Sequence, residues 1–329
     1  MILAGDVGGT KTHLALFAPG ASPRHPQRER RFASHEHASL ESLVRGFLAE
    51  APGEAVARAV FGIAGVVVRN RCETTNLPWH VDGAEMSAAL GGARVLLLND
   101  LAATAHGLEV LENADLETLQ AGERERGTRA VLAAGTGLGM VSVSREGDER
   151  VIQPSEGGHA DFAPRTALER ELAGWLAERH GRASVERVLS GRGLADLYRF
   201  LAATSRGSES PGFADAFMAA DDPAALVSEA GLERSCERAE LALGMFVEVY
   251  GAEAGNLALR VLPGEGLYLG GGIAPRIRTA LAGRRFLEAF RDKAPMTDLM
   301  RRFPVHLILD SRAALWGAAH LALGAGARV

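Results

Sequence analysis

Three glycine-rich turns contain residues whose types and spacing could do chemistry: Gly5-Asp6-Val7-Gly8-Gly9-Thr10-Lys11, Gly135-Thr136-Gly137-Leu138-Gly139 and Gly270-Gly271-Gly272. With no Cβ in the way, backbone N–H groups at such turns come close to phosphate oxygens, so the chemistry they point to is nucleotide binding. The known phosphate loops do not fit. A P-loop begun at Gly5 needs glycine at position 10, where Thr10 stands. The residues after it, His13-Leu-Ala-Leu-Phe17, read as a strand where a P-loop needs a helix N-terminus. The dinucleotide fingerprint fails at the second turn, because Gly135, Gly137 and Gly139 alternate and a strand follows again. What remains is a β-hairpin whose turn grips phosphate, used twice, with Asp6 at the mouth of the first. One such hairpin needs no ligand to explain it. Two of them, with a third strand ending in glycines, point to a nucleotide.

A second set of residues is polar or acidic. Asn99-Asp100 lies at the carboxyl end of the apolar strand Arg94 to Leu98, where open α/β sheets bind ligands. Residue type alone reads the pair as the cap of the helix that follows. Glu156-Gly-Gly-His159 puts a carboxylate and an imidazole on one loop. The helical His-Glu-x-x-His metal arrangement is absent, which leaves an ordinary polar turn or a hydroxyl-binding pair. Glu186 stands two residues after Ser184, at an expected helix start where an acidic charge is favourable. Lys11 is one of only two lysines, with Lys293, among 36 basic residues.

These groups need a scaffold, and the chain describes one twice. The first segment runs strand, glycine turn, strand, with a further strand expected at Arg30 to His35. A helix with Leu40, Leu43, Val44 and Phe47 on one face follows. Apolar strands are expected at Ala59 to Val67 and Arg94 to Leu98, then a helix at Leu101 to Leu108. Val131 to Val143 repeats strand, glycine turn, strand. Gly266 to Ile273 is another strand, with Pro275 placed to open a helix. Val305 to Leu309, followed by Asp310-Ser311 and an alanine-rich helix, resembles Val95 to Gly107. Two halves on one plan predict a duplicated α/β protein with a cleft between the copies. Thr166 to Arg260 has mostly helical spacing, and Thr204 to Pro223 reads as a surface excursion.

Composition narrows the class. Of 329 residues 47% are hydrophobic and 23% charged, which excludes a disordered chain, a collagen and a coiled coil. Two cysteines, Cys72 and Cys236, exclude a disulfide scaffold and a zinc site of clustered thiolates. No apolar run approaches the roughly 18 residues of a membrane span. Met1 to Asp6 has no basic region ahead of its apolar stretch, so no signal peptide is expected, and the reducing cytoplasm is the expected compartment. A net charge of −5 opposes non-specific nucleic acid binding.

Six stretches, in order along nearly the whole chain, resemble the bacterial ATP-dependent glucokinase family of the actin-like sugar kinase superfamily. They are Gly5-Asp-Val-Gly-Gly-Thr10, Leu98-Asn-Asp-Leu-Ala-Ala103, Ala134-Gly-Thr-Gly-Leu-Gly139, Glu156-Gly-Gly-His-Ala-Asp-Phe-Ala-Pro164, Glu186-Arg-Val-Leu-Ser-Gly191 and Leu269-Gly-Gly-Gly-Ile273. Lys11-Thr12 departs from the Asn-Ala more usual in this group and is similar to the related repressor and kinase sugar family. That family's cysteine-rich zinc motif has no counterpart near His159.

The resemblance implies duplicated actin-like (ribonuclease H-like) ATPase domains: a small α/β domain, residues 1–109 plus 311–329, and a larger α+β domain, residues 110–310. The cleft between them closes over the sugar, and the C-terminal helix returns to the first domain. It implies transfer of the ATP γ-phosphoryl group to the 6-hydroxyl of glucose, the first step of glycolysis. Asp100 is then the base, and Asn99, Asp100, Glu156, His159 and Glu186 bind sugar. Gly8, Gly9, Thr10, Gly135, Thr136 and Gly137 face the phosphates, Gly271 and Gly272 face the adenosine, and Asp6 contacts Mg²⁺ through water. Lys11, where the chain departs from the group, reads either as a point charge at the phosphates or as a solvated hairpin lysine. A cavity carrying Asp100, Glu156 and Glu186 suits an uncharged hexose and repels a sugar phosphate. A homodimer formed through the larger domain is implied as well. The rivals are a kinase for mannose, fructose or N-acetylglucosamine, a non-catalytic sugar sensor, and a structural ATPase on the same scaffold.

Overall fold

The computed structural model describes residues 1–50, 55–74, 77–147 and 149–324. They form two compact units, Met1–Asp115 with the segment from Asp310 onward, and Leu116–Leu309. The change of unit falls after Asp115, six residues beyond the expected 109/110 boundary. Arg24 accounts for this, since its guanidinium pairs with the Asp115 carboxylate and donates to the Val110 carbonyl.

In the first unit β1 (Ile2–Val7) and β2 (Lys11–Phe17) form an antiparallel hairpin, and β3 (Arg28–Ala33) adds to β2. Helix α1 (Leu40–Ala49) follows, entered through reciprocal Ser39–Ser42 capping. Strand β4 (Arg58–Ile63) pairs parallel with β1. Strands β5 (Gly65–Val68), β6 (Arg71–Thr74) and β7 (His80–Asp82) form a separate antiparallel sheet. Helix α2 (Gly83–Ala89), strand β8 (Arg94–Asn99) and helix α3 (Asp100–Gly107) complete the run, with β8 parallel to β4. The main sheet reads β3-β2-β1-β4-β8. Alternation sends Leu3, Leu14, Leu16 and Phe61 to one face, against Leu40, Leu43, Val44 and Phe47 of α1. Ala4, Ala15, Phe17 and Val60 face the other way, against Leu315, Trp316, Ala318 and Ala319 of the C-terminal helix, Ala313–Leu323. The expected strand from Ala59 to Val67 is therefore two strands. The chain leaves the main sheet at Ala64, and β5 joins the small one.

Helix α3 and the C-terminal helix cross through the same motif. Ala103 and Gly107 meet Gly317 and Ala313: a Cβ at Gly317 would overlap the Ala103 carbonyl oxygen, and one at Gly107 would overlap that of Ala313. The two helices stand at matching places in the sequence repeat, so the reciprocity is that of the repeat itself.

In the second unit β9 (Leu116–Gln120), β10 (Arg129–Ala134), β11 (Leu138–Glu146), β12 (Glu149–Ser155), β13 (Gly266–Gly270) and β14 (Val305–Ile308) form a sheet of order β12-β11-β10-β13-β14-β9. Its first five places repeat the first unit: two antiparallel neighbours on one side of the central strand, two parallel ones on the other. Helices α4 (Ala167–His180), α5 (Gly191–Ala203), α6 (Phe213–Ala219), α7 (Pro223–Glu233), α8 (Glu237–Val261), α9 (Arg278–Leu281), α10 (Arg284–Arg291) and α11 (Thr297–Arg302) surround it. The stretch Thr204 to Pro223, expected to be a surface excursion, includes α6, whose Phe213 and Phe217 lie 5.4 and 4.5 Å from the Tyr198 ring. Two aromatic anchors outweigh its polar composition. Pro275 opens no helix; it lies in a turn, and α9 begins at Arg278. Among the described residues no helix is long and apolar enough to cross a membrane.

The glycine crossing predicts a contrast. Gly317→Ala should destabilise the chain by about 1–3 kcal/mol, the usual scale of overpacking. Gly46→Ala, exposed on α1 with open space around it, should stabilise it by about 0.5–1 kcal/mol. Thermal melts of both variants check the opposite signs.

Candidate active site

In the first unit the turn between β1 and β2 is closed by the Gly8 N–H donating to the Lys11 carbonyl at 2.9 Å. Ser34, in the short 3₁₀ turn after β3, holds this loop from behind. Its N–H donates to the Thr10 carbonyl (3.0 Å), its hydroxyl donates to the Gly8 carbonyl (2.8 Å), and the buried Thr12 hydroxyl lies 3.0 Å away. In the sequence nothing marks Ser34 beyond a small hydroxyl residue near the end of an expected strand. Thr10 and Lys11 are exposed, and Gly8 and Gly9 are half-buried.

Asp6 faces Gly62 in the parallel register of β1 and β4. A Cβ at Gly62 would stand 2.7 Å from the Ala103 side chain and 3.6 Å from the Asp100 Cα. Glycine there lets α3 settle onto the sheet and sets Asp100 beside Asp6. Burial first, and the Asp100 charge second, push the Asp6 carboxyl up to about 7, with Arg31 opposing them. Arg31 is fixed in turn: its Nε–H donates to His13 Nδ1 (3.4 Å), and its Nη2 donates to the Ser311 hydroxyl (3.1 Å). His13 Nε2 lies 2.7 Å from Glu29, and burial holds its imidazole below its ordinary pKa.

Asn99 does cap α3, as residue type alone suggested. Its Oδ1 accepts the N–H of Leu101 (2.9 Å) and Ala102 (3.4 Å), and its Nδ2 donates to the Gly65 carbonyl (3.0 Å). Asp100 is the first residue of α3, and its Oδ1 accepts the Leu101 N–H at 2.9 Å.

In the second unit the turn Gly135–Gly137 is pinned on several sides. The Gly135 carbonyl accepts the Gly191 N–H at the start of α5 (2.9 Å), and the Ala134 carbonyl accepts the Ile273 N–H (3.2 Å). The Leu138 N–H donates to Glu186 Oε2 at 2.9 Å. A Cβ at Gly137 would come within 2.7 Å of that oxygen. Gly271 adopts a left-handed φ of +82°, and a side chain there would strike the Ala134 carbonyl. The Gly271–Gly272 turn and the Gly135 turn are thus immediate neighbours. Glu156 and His159 are exposed, their Oε2 and Nε2 3.8 Å apart, on a 3₁₀ turn at Gly157–His159. That turn rests on β11: a Cβ at Gly158 would overlap the Leu138 carbonyl, and one at Gly157 would stand 2.7 Å from the Met140 sulfur. Glu186 therefore opens no α-helix. It sits in a 3₁₀ turn, Val185–Arg187, and α5 begins at Gly191 with Ser190 as its cap. The Glu156–His159 turn and the Glu186 carboxylate thus both adjoin Leu138, at the end of the glycine turn that neighbours Gly271–Gly272.

Among the described residues no three His, Cys, Asp or Glu side chains form a metal cage. Mg²⁺ rarely needs one, since it takes one or two carboxylates beside substrate phosphates and keeps its water. Asp6, a hard oxygen donor whose ionised form is opposed by burial and by Asp100, fits that role.

The raised Asp6 value carries a sign. Between its unfolded value near 4 and about 7 the folded chain keeps a proton that the unfolded chain has released, so this group's stability contribution falls as pH rises through that window. Asp6→Asn should remove that component, and denaturant titrations at pH 5 and pH 8 should show a smaller loss than in the unsubstituted chain. Carboxyl NMR should find Asp6 titrating lower in Asp100→Asn.

Known proteins resemble this arrangement along its whole length. The family model described as Glucokinase matches residues 3–325. A glucokinase of Nostoc sp. is 40% identical over 335 residues, covering 97% of this chain and 98% of the relative. One of Synechocystis sp. is 41% identical over 341 residues, covering 96% of each. The crystal structure of a glucokinase from an Antarctic psychrotroph superposes with a TM-score of 0.81 at 30% identity, covering 97% of both chains. Together with the repeated sheet and its two glycine turns, these matches place the chain in the glucokinase family, on the duplicated actin-like fold of the sugar kinases.

Proposed function

We propose that this glucokinase transfers the γ-phosphoryl group of ATP to the 6-hydroxyl of D-glucose, with Asp100 as the base. The observation that carries the reading is the pair of glycine turns at the same place in two copies of one sheet, one beside Asp6 and Asp100, the other beside Glu186. Phosphoryl transfer needs positioning and charge neutralisation more than covalent help, and each unit supplies a share. In the first unit Gly9 and Thr10 present backbone N–H groups to phosphate, Gly8 closes the turn and leaves room for the phosphate to approach, Lys11 adds a point charge, and Asp6 holds a water of Mg²⁺. When bound, that ion neutralises the charge of the phosphates. In the second unit Thr136 and Gly137 take phosphate oxygens, Gly135 closes the turn without a side chain in their way, and Gly271 and Gly272 leave a flat surface for the adenosine.

Asp100, at the head of α3, accepts the proton of the 6-hydroxyl, and Asn99 holds a neighbouring hydroxyl. Glu156, His159 and Glu186 take the other hydroxyls, since each sugar hydroxyl both donates and accepts. Glu186 ties sugar to nucleotide, because the carboxylate proposed to hold glucose also fixes Leu138 at the end of the phosphate turn. A cytoplasmic homodimer acting at the entry of glycolysis completes the reading.

A coupled assay with ATP and a panel of hexoses tests it: turnover should be high with glucose and low with mannose, fructose and N-acetylglucosamine. Asp100→Asn should lower kcat by roughly 10²-fold or more, the scale of a lost general base. A variant with near-normal kcat removes Asp100 from that role. Glu156→Ala should raise the KM for glucose alone. Glu186→Ala should raise the KM for both glucose and ATP, because it frees the Leu138 N–H as well.

A further inference from the structure

The small sheet β5–β6–β7 has no part in the reading above, yet one of its residues reaches the strand that carries Asn99. Strands β5 and β6 are joined by the two-residue turn Arg69-Asn70, both in the left-handed region at φ 49° and 61°. This is the turn whose twist matches a hairpin, and asparagine tolerates it. The Asn70 side chain points away from its own hairpin. Its Nδ2 donates to the Val95 carbonyl at 3.0 Å, and its Oδ1 accepts the Leu97 N–H at 2.7 Å. β8 ends the main sheet, so Val95 and Leu97 would otherwise present unpaired edge groups. One carboxamide satisfies both, as a further strand would.

At the other end of β5 the Gly65 carbonyl accepts the Asn99 Nδ2 hydrogen bond at 3.0 Å. The hairpin is thus fastened to β8 at two places, Asn70 on Val95 and Leu97, and Gly65 on Asn99. Two glycines make room for these attachments. A Cβ at Gly83 would overlap the Asn70 amide, and one at Gly65 would stand 2.8 Å from the Cys72 sulfur and 2.9 Å from the Glu73 carbonyl. The Gly83 N–H also donates to the Asn70 carbonyl at 3.0 Å.

We infer that Asn70 is a positioning residue for Asn99: by locking the β5–β6 hairpin onto the edge of β8, it holds the Gly65 carbonyl where it fixes the direction of the Asn99 carboxamide. A carboxamide can face either way. The α3 N–H groups take its oxygen and the Gly65 carbonyl takes one of its N–H groups, so both ends of the carboxamide are held and its second N–H is the donor left for substrate. The same lock sets the register of Asp100, the next residue. The consequence for glucose rests on the proposed sugar role of Asn99; the orientation of Asn99 does not.

Asn70→Gly tests this cleanly, because glycine keeps the left-handed turn while removing both bonds to β8. The side-chain amide signals of Asn99, identified by their loss in Asn99→Ala, should shift and exchange faster with water in Asn70→Gly. The KM for glucose should rise about tenfold, a modest misplacement effect, with the KM for ATP unchanged. Asn70→Asp keeps the acceptor for Leu97 and loses the donor to Val95, so it should fall between the two; it also serves if the glycine variant does not fold. Unmoved Asn99 amide signals in a folded Asn70 variant overturn the inference. Moved signals with an unchanged glucose KM sustain the positioning of Asn99 and remove Asn99 from the sugar.

Discussion

Both sheets depend on one constraint of strand pairing. The central strand of each, β1 or β10, is antiparallel to the strand that follows its glycine turn and parallel to the neighbour on its other side. The turn that leaves the central strand and the carboxyl ends of the parallel strands must therefore fall on the same edge. In the first unit that edge carries Asp6, Gly8 to Thr10, Asn99 and Asp100. In the second it carries Gly135 to Gly137 and Gly270 to Gly272. Backbone hydrogen bonding makes this juxtaposition; the side chains then exploit it.

Small residues decide how closely the remaining elements approach that edge. Gly62 admits Asp100 to the neighbourhood of Asp6, Gly137 admits the Glu186 carboxylate to the phosphate turn, and Gly158 lets the Glu156–His159 turn rest on Leu138. Each absence of a Cβ lets an element that carries an acidic side chain approach that edge. The electrostatic consequence is clearest at Asp6, where burial and a second carboxylate oppose ionisation and a cation would relieve both. The same logic underlies the crossing of α3 with the C-terminal helix, which closes the far face of the first sheet by direct contact of backbones.

The polar contacts behind the edge are of a different kind. Ser34 on the first turn, Gly191 on the second, and the Arg31–His13–Glu29 row beside Asp6 touch no proposed ligand, yet they hold the groups that do. Their contribution is preorganisation: a loop whose carbonyls are already bonded cannot relax when charge develops in front of it.

Much of this was legible in residue order, because strand and turn chemistry are local. The apolar runs around the two turns predicted β1, β2, β10 and β11, and the recurrence of the plan predicted the duplication that both sheets display. Asn99 as a helix cap followed from residue type alone. What residue order could not contain was any contact between segments distant along the chain. The run from Ala59 to Val67 reads as one strand, and only the competition between two sheets divides it at Ala64. Phe213 and Phe217 sit in a polar stretch whose helix exists because Tyr198 receives their rings. Glu186 reads as a helix start, and its bond to Leu138, 48 residues away, appears only when the chain is folded. Local propensity acts within a few residues and can be read from sequence alone; packing selects among the alternatives that propensity leaves open, and those choices belong to the tertiary structure.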